Sequence, residues 1–304
     1  MSTSDLALAA PSRRLQGILL VAAGSVLWST GGLFVRLLDM DFWTMQAWRS
    51  LYAAISLAVI VLLEHRSRTP QALRAIGWTG LAAIPISAIS MFCYVAAVRL
   101  TTVANVMIVY ATVPLCAAGI AFLWIGERPT RRTLIASAAA LAGITLMVGA
   151  SAGGGDVIGD ALALVMTITF AVLIVAARRN PALPMAPVNA AAALLGAAAS
   201  VPFMAGPMPG LHDMLILALF GTTTTSLAYL LFLLGARDIP AGEAGLLGLL
   251  DTVLAPFWVW LAFAETPAAT TLAGGGIVLA SVVWYLAGGR RGPREGQARV
   301  VPTV

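Results

Sequence analysis

The sequence contains about ten apolar runs, each long enough to cross the roughly 30 Å hydrocarbon core of a bilayer. Apolar residues make up 60% of the chain and charged residues only 10%, whereas soluble domains average about a quarter charged residues. A water-exposed surface cannot be assembled from so few charges. The sequence therefore predicts an all-α integral membrane protein, and it excludes soluble enzymes and nucleic-acid-binding proteins.

Charges and glycine- or proline-containing turns delimit the ten predicted transmembrane helices. Numbered along the chain as helices 1 to 10, they cover residues 15–38, 42–63, 75–98, 103–125, 133–150, 158–177, 184–205, 213–236, 241–263 and 268–288. A glycine-rich turn at residues 153–155 separates helix 5 from helix 6. The short connections leave no room for a folded soluble domain.

Arginine positions predict the orientation in the membrane. All 18 basic residues are arginines, and with a cytoplasmic N-terminus 15 of them fall on the cytoplasmic side. Arg36 and Arg99 fall on the opposite side, and Arg49 lies within helix 2. Since cytoplasmic loops carry the excess of positive charge, we expect both termini in the cytoplasm, with an N-terminal segment at residues 1–14 and a tail at residues 290–304.

The two halves of the sequence match each other. The matched pairs are Arg99 with Arg237, Asn105 with Glu243, Glu127 with Glu265 and, at a slightly larger offset in the earlier helices, Trp28 with Phe170. Charged positions coincide as well as apolar ones, which argues against a repeat produced by composition bias. The chain is therefore predicted to contain two five-helix repeats, at residues 15–150 and 151–289. An odd number of spans inverts the second repeat, and transporters built this way place their substrate site near the midplane between the repeats.

Each repeat ends its fourth helix with a small residue, a glutamate and a nearby proline, GERP at residues 126–129 and AETP at residues 264–267. This pattern, together with the acidic stretch LLDTV at residues 249–253, resembles the EamA domains of the drug/metabolite transporter superfamily. The resemblance covers nearly the whole chain. It implies a ten-helix exporter of small metabolites, similar to the YddG-like amino-acid exporters of the bacterial inner membrane. Thr252 stands where this pattern usually has a proline, so helix 9 is expected to kink elsewhere, near Pro256.

Polar and aromatic side chains at mid-span concentrate in helices 1, 3, 4, 6, 8 and 9. On helix 3, Ser87, Ser90 and Tyr94 follow an i, i+3, i+7 spacing that places them on one face, and Thr222, Thr225 and Tyr229 repeat it on helix 8. The alternative is that the hydroxyls bond to their own helices or join neighbouring ones. The predicted substrate-binding residues are Trp28, Ser87, Ser90, Tyr94, Tyr110, Thr167, Phe170, Thr222, Thr225, Tyr229, Asp251 and Trp258.

Asp251 is the only acidic residue at mid-span. With Trp258 on the same helix face, it offers an ammonium group both a carboxylate and an aromatic ring. The structural alternative is an ion pair with Arg49, which could instead extend outward to the membrane surface. Glu243 is a second possible charge partner, although the helix dipole already favours an acid in the first turn of helix 9.

Prolines within spans free a backbone carbonyl and kink the helix. Pro114 in helix 4 and Pro256 in helix 9 are the predicted hinges. The alternative is that these prolines only shape the packing.

The sequence thus predicts a secondary transporter that exports small amphipathic metabolites, first of all amino acids including aromatic ones, by alternating access. The alternatives are a multidrug or organic-cation exporter, a membrane-embedded enzyme or a channel. An enzyme is disfavoured because no cluster of His, Asp or Cys lies near one interface. We expect no cofactor and no metal. The expected partners are the small-molecule substrate and the lipid bilayer, without nucleic acid, for a monomer or homodimer.

Overall fold

The computed structural model describes residues 13–65, 76–149, 156–264 and 268–288. Within these ranges the chain forms helices and turns and no strand. Ten helices are long and apolar enough to cross a membrane. The all-α, ten-helix prediction is confirmed. Residues 1–12 of the predicted N-terminal segment, the glycine-rich turn, Glu265 with Pro267, and the predicted tail lie outside the described residues.

Six of the ten helices are continuous and four are interrupted. The continuous helices are helix 2 (Phe42–His65), helix 3 (Gly77–Leu100), helix 5 (Arg131–Val148), helix 6 (Val157–Arg179), helix 7 (Met185–Ser200) and helix 10 (Ala269–Gly288). The interrupted helices are helix 1 (Arg13–Ser29 and Gly31–Leu37), helix 4 (Val103–Tyr110 and Val113–Ile125), helix 8 (Leu211–Phe220, a π-helical Gly221–Leu227 and Ala228–Ala236) and helix 9 (Ala241–Gly248 and Leu250–Phe263).

The ends of several helices are fixed by local side-chain and backbone chemistry. The side chains of Thr102, Thr130 and Asp156 cap helices 4, 5 and 6 by accepting hydrogen bonds from backbone amides of the first turn. Helix 4 ends at Gly126 with φ 70° and helix 9 ends at Ala264 with φ 55°. The left-handed conformation is unfavourable for alanine, so its recurrence at the matched position indicates that both repeats end this helix in the same way.

Helix pairing follows the internal duplication. Helix 1 packs against helix 8 and helix 3 against helix 6, which are equivalent pairs when the repeats are exchanged. Helix 2 packs against helix 7, helix 4 against helix 9 and helix 5 against helix 10, so each of these helices pairs with its own counterpart. An approximate two-fold axis therefore relates the two inverted repeats and passes between helices 4 and 9.

Glycines allow the closest of these helix crossings. Gly17 of helix 1 faces Gly235 of helix 8, and a Cβ atom on Gly17 would lie 2.9 Å from the carbonyl oxygen of Gly235. Gly274 of helix 10 faces Gly143 of helix 5, and a Cβ atom on Gly274 would clash with the Gly143 carbonyl and lie 2.8 Å from the amide nitrogen of Met147. Small residues let membrane helices approach until their backbones touch.

One end of the bundle, the arginine-rich end, carries a network around the GERP glutamate. Arg178 Nε donates to Glu127 Oε2 at 3.0 Å, and the backbone amide of Ala241 donates to Glu127 Oε1 at 3.3 Å. Arg178 also donates to the backbone carbonyl of Arg237, and the guanidinium of Arg237 donates to the carbonyl of Leu183. Glu127 therefore joins the end of helix 4 to helix 6 and to the start of helix 9.

The glycine crossing between helices 5 and 10 can be tested with two substitutions on one helix. Gly274→Val should destabilise the protein by about 1 to 3 kcal/mol because its side chain would meet backbone atoms of helix 5. Gly276→Val is the matched control, since nothing lies within 4 Å of a Cβ atom there. Thermal unfolding of the detergent-solubilised variants should give a lower Tm for the first only. Equal Tm values would contradict the packing described here.

Candidate functional site

Helices 4 and 9 cross at the centre of the bundle, and each is broken there. Helix 4 is interrupted between Tyr110 and Val113, and helix 9 at Leu249, which is the matched position of the second repeat. Pro114 follows the first break directly. The break in helix 9 precedes Pro256, which lies inside the second segment of the helix. The two helices approach closely at this crossing, since a Cβ atom on Gly245 would lie 2.8 Å from the Cα of Pro114.

Aromatic rings from four helices meet beside these breaks. The indole of Trp28 lies 5.7 Å from the Phe170 ring, 5.8 Å from the Tyr229 ring and 4.9 Å from the Phe232 ring. Tyr110, the last residue before the break in helix 4, stacks on Phe170 at 6.2 Å. These five residues form the central aromatic cluster, with contributions from both repeats.

The predicted polar faces of helices 3 and 8 contact each other at one point. The hydroxyls of Ser87 and Tyr229 are 2.9 Å apart, which links helix 3 to the central aromatic cluster. The rest of the helix 8 pattern is not what the spacing predicts. Residues 221–227 form a π-helix, which has a different angular step per residue, so the i, i+3, i+7 argument does not apply there. Thr222 is exposed and Thr225 is half-buried.

Two other predicted hydroxyls donate hydrogen bonds to backbone carbonyls of the helices. Thr167 donates to the carbonyl of Ala163 in its own helix at 2.8 Å. Ser90 of helix 3 donates to the carbonyl of Met166 in helix 6 at 3.2 Å. Both are buried, and their hydrogen bonds match the structural alternative.

Asp251 lies in the first turn of the second segment of helix 9 and is half-buried. Its Oδ1 accepts a hydrogen bond of 2.9 Å from the hydroxyl of Thr252. Among the described residues, no ion pair joins Asp251 to Arg49. The indole N–H of Trp258 donates to the Ser29 hydroxyl of helix 1 at 2.7 Å.

Three of the predicted site residues keep accessible side-chain surface. Tyr94 is 36% exposed, and Tyr110 and Asp251 are half-buried. Their side chains are therefore not fully enclosed by the helix packing around them.

Arg49 does not extend to the membrane surface. Its guanidinium donates to Gln46 Oε1 and lies over the Phe220 ring at 4.9 Å from the centroid. Its Nε atom is buried without a hydrogen-bond partner. The cation is held on the inner side of helix 2.

Glu243 lies at the arginine-rich end of the bundle. Its fully buried carboxylate pairs with Arg14 at 3.0 Å and accepts a hydrogen bond of 3.2 Å from the Tyr285 hydroxyl. These contacts tie the first segment of helix 9 to helices 1 and 10.

The matched position in helix 4 makes an equivalent contact at the opposite end. Asn105 Nδ2 donates to Asp160 Oδ1 at 3.1 Å, and the Thr101 hydroxyl donates to the same oxygen at 2.7 Å. Asn105 and Glu243 are matched by the duplication. Polar contacts of these two residues therefore hold the first segments of helices 4 and 9 at opposite ends of the bundle.

Sequence analysis missed two residues near the site. Phe232 occupies the position in helix 8 that corresponds to Tyr94 in helix 3, so the duplication could have indicated it. Gln46 precedes Arg49 by three residues and therefore shares its helix face. That spacing could have identified it as the partner of the arginine.

Known proteins similar to this chain fit the same architecture. The sequence profile of the EamA-like transporter family matches residues 15–149 and again residues 157–287. A crystal structure of another protein shares the fold with a TM-score of 0.74, covering 90% of this chain and 98% of its own at 21% sequence identity. No curated protein sequence matches significantly. Because the two family matches together span most of the sequence, one on each repeat, the chain belongs to the EamA-like transporter family.

Proposed function

We propose that this transporter exports small amphipathic metabolites, in particular amino acids with aromatic or large apolar side chains, across the bacterial inner membrane. The observation that carries this proposal is the central aromatic cluster beside Asp251, between the two repeats. The rings offer a large apolar side chain dispersion and edge-to-face contacts. The half-buried carboxylate of Asp251 offers its ammonium group a charged partner.

Alternating access is the proposed mechanism. The helix breaks at matched positions, together with Pro114, would act as hinges, and Pro256 would soften the second segment of helix 9. The contacts of Asn105 and Glu243 would open in turn, each releasing one end of the bundle. Because these contacts lie at matched positions in inverted repeats, rocking one repeat against the other exchanges their environments.

An organic-cation exporter is the second candidate. The accessible carboxylate of Asp251 next to aromatic rings favours it, since cations bind both groups. Counterflow in proteoliposomes separates the two candidates. Saturable exchange of phenylalanine supports amino-acid transport, exchange of tetraphenylphosphonium alone supports the second candidate, and non-saturable flux of both would indicate a channel.

The proposed orientation predicts which positions are accessible from outside the cell. In a background without Cys93 and Cys116, Asp39→Cys should react with an impermeant maleimide in intact cells. Arg68→Cys and Arg131→Cys should react only after the cells are opened, because the arginine-rich end faces the cytoplasm. Labelling of either arginine position in intact cells would disprove this orientation.

The aromatic contacts predict a selective loss of binding. Trp28→Ala and Tyr229→Ala should each weaken phenylalanine binding by about 1 to 3 kcal/mol, because a ring that packs on the substrate is removed. Expression should stay near normal. The control is Trp78→Ala, whose side chain is 88% exposed far from the site. Unchanged phenylalanine affinity, or misfolding without a change in selectivity, would show that both residues serve only in packing.

Asp251→Asn tests the charge alone. Asparagine keeps the size and can still accept the Thr252 hydrogen bond, so the variant should insert and fold. Transport of zwitterionic and cationic solutes should fall at least about tenfold, as expected for loss of a charged hydrogen bond. Asp238→Asn, an exposed change, is the control. A stable Asp251→Asn protein with wild-type transport rates would refute a role for the carboxylate.

A further inference from the structure

The π-helical segment of helix 8, residues 221–227, lies between two close helix crossings. At its start, a Cβ atom on Gly221 would clash with the carbonyl oxygen of Arg49 in helix 2. Beyond its end, a Cβ atom on Gly235 would lie 2.6 Å from the carbonyl oxygen of Gly17 in helix 1. The segment therefore connects the part of helix 8 that packs on helix 2 to the part that packs on helix 1.

A π-helical turn contains about one residue more than an α-helical turn, because its hydrogen bonds run from i to i+5. In helix 8 the amide of Ala228 accordingly donates to the carbonyl of Thr223. Such turns are rare inside α-helices and are frequent at functional sites. The alignment that matches Tyr94 with Phe232 places the corresponding segment of the first repeat at residues 83–89, inside the continuous helix 3. The same place in the fold is thus α-helical in one repeat and π-helical in the other.

The π-helical form leaves the Ser226 hydroxyl without a hydrogen-bond partner. Its Oγ atom is buried and makes no hydrogen bond with the described residues, which is costly in a membrane-spanning helix. Other buried hydroxyls donate to the carbonyl four residues earlier, as Ser281 does to Ile277 at 2.7 Å. In an α-helix the same bond would join Ser226 to the carbonyl of Thr222. The α-helical form of this segment would therefore satisfy a hydroxyl that the π-helical form does not.

Conversion of this segment to an α-helix would shift the second part of helix 8 by one residue. With the first part held against helix 2, the second part would turn by about 100° and move by about 1.5 Å. Each place on the second part would then be taken by the preceding residue. Ala228 would replace Tyr229 beside Trp28, and Leu231 would replace Phe232. The central aromatic cluster would lose two of its rings.

The same shift would change the crossing of helices 8 and 1 at the arginine-rich end. Leu234 would take the place of Gly235, where even a single Cβ atom lies 2.6 Å from the carbonyl oxygen of Gly17. A leucine does not fit there, so helix 1 would separate from helix 8. Arg14 in the first turn of helix 1 would move with it and leave Glu243. The π-helical form is therefore compatible with a closed arginine-rich end, and the α-helical form with an open one.

We propose that the π-helical segment of helix 8 switches to an α-helix during the transport cycle and thereby opens the arginine-rich end of the bundle. This inference rests on the proposed function and deepens it, because it names the element that moves. A substrate that packs on Tyr229 and Phe232 favours the π-helical form and so closes the end through which it entered. The competing explanation is that the π-helix is a fixed feature that only accommodates the crossing of helices 8 and 2.

Deletion of one threonine distinguishes a switching segment from a fixed one. Residues 222–225 are all threonine, so deletion of any of them gives the same sequence, in which an α-helical segment keeps both flanking crossings in place. Because the central aromatic cluster is retained, phenylalanine binding to the detergent-solubilised variant should be unchanged. Phenylalanine exchange in proteoliposomes should fall to the level of empty liposomes, because the variant has no extra residue to release. Exchange at the wild-type rate would overturn the inference.

Ser226→Ala is a milder test that keeps the length of the helix. Alanine removes the hydroxyl that only the α-helical form can pair, so it should favour the π-helical form by about three- to tenfold, the value of one hydrogen bond. The Tm should not fall, and phenylalanine exchange should slow by a similar factor. Ser281→Ala is the matched control, since its hydroxyl is already paired. Its Tm should not rise, and its exchange should stay at the wild-type rate.

The outcomes decide the inference and the proposed function separately. If the wild-type protein exchanges phenylalanine and either the deletion variant or Ser226→Ala does so at the same rate, the inference is overturned and the proposed function stands. If the wild-type protein exchanges neither phenylalanine nor tetraphenylphosphonium, both fall. If the deletion variant does not fold, Ser226→Ala decides alone.

Discussion

Hydrocarbon offers no water to replace a missing hydrogen-bond partner, so each polar group inside the bilayer must find one within the protein. Most hydroxyls here meet this requirement locally. Ser25, Thr167 and Ser281 each donate to a carbonyl one turn earlier in their own helix. These bonds make a hydroxyl at mid-span inexpensive, and they explain why hydroxyl positions alone are a weak guide to a substrate pathway. Groups that cannot be satisfied in this way, such as Asp251 and Arg49, carry more information.

The two-fold arrangement explains which parts of the site are shared and which are not. Helix pairing, the breaks in helices 4 and 9, and the left-handed residues at Gly126 and Ala264 recur in both repeats. Asn105 and Glu243 also take equivalent places, although one is neutral and the other charged. The two repeats are therefore alike in backbone geometry, but their polar contacts differ in charge at the two ends of the bundle.

Much of the fold could be predicted from the sequence because hydropathy and repetition act over many residues. The ten helices and the duplication depend on whole segments, so an error at one residue changes little. The π-helix at residues 221–227 could not be predicted, since four successive threonines fit an α-helix equally well. The pairing of Glu243 with Arg14 could not be predicted either, because it joins the second repeat to the start of helix 1 and depends on how helices 1 and 9 cross.

The duplication also identified some residues of the candidate site. Trp28 and Phe170 were found through the duplication and do meet, at 5.7 Å. Trp258 was assigned by its helix face toward Asp251, yet its N–H reaches Ser29 of helix 1. A helix face identifies the direction of a side chain but not the neighbouring helix that lies there, and here helix 1 packs against that face.

Thr252, which stands where the family pattern usually has a proline, lies directly after the break in helix 9 and contacts Asp251. Proline is tolerated in the first turn of a helix, and Pro114 takes that place after the break in helix 4. Helix 9 breaks at the matched position without a proline there, and its first segment packs against Pro114 at the Gly245 crossing. Position 252 is thus free to carry a hydroxyl, which donates to Asp251. The same break thus places Asp251 in the first turn of a new helix segment, with the Thr252 hydroxyl bonded to its carboxylate.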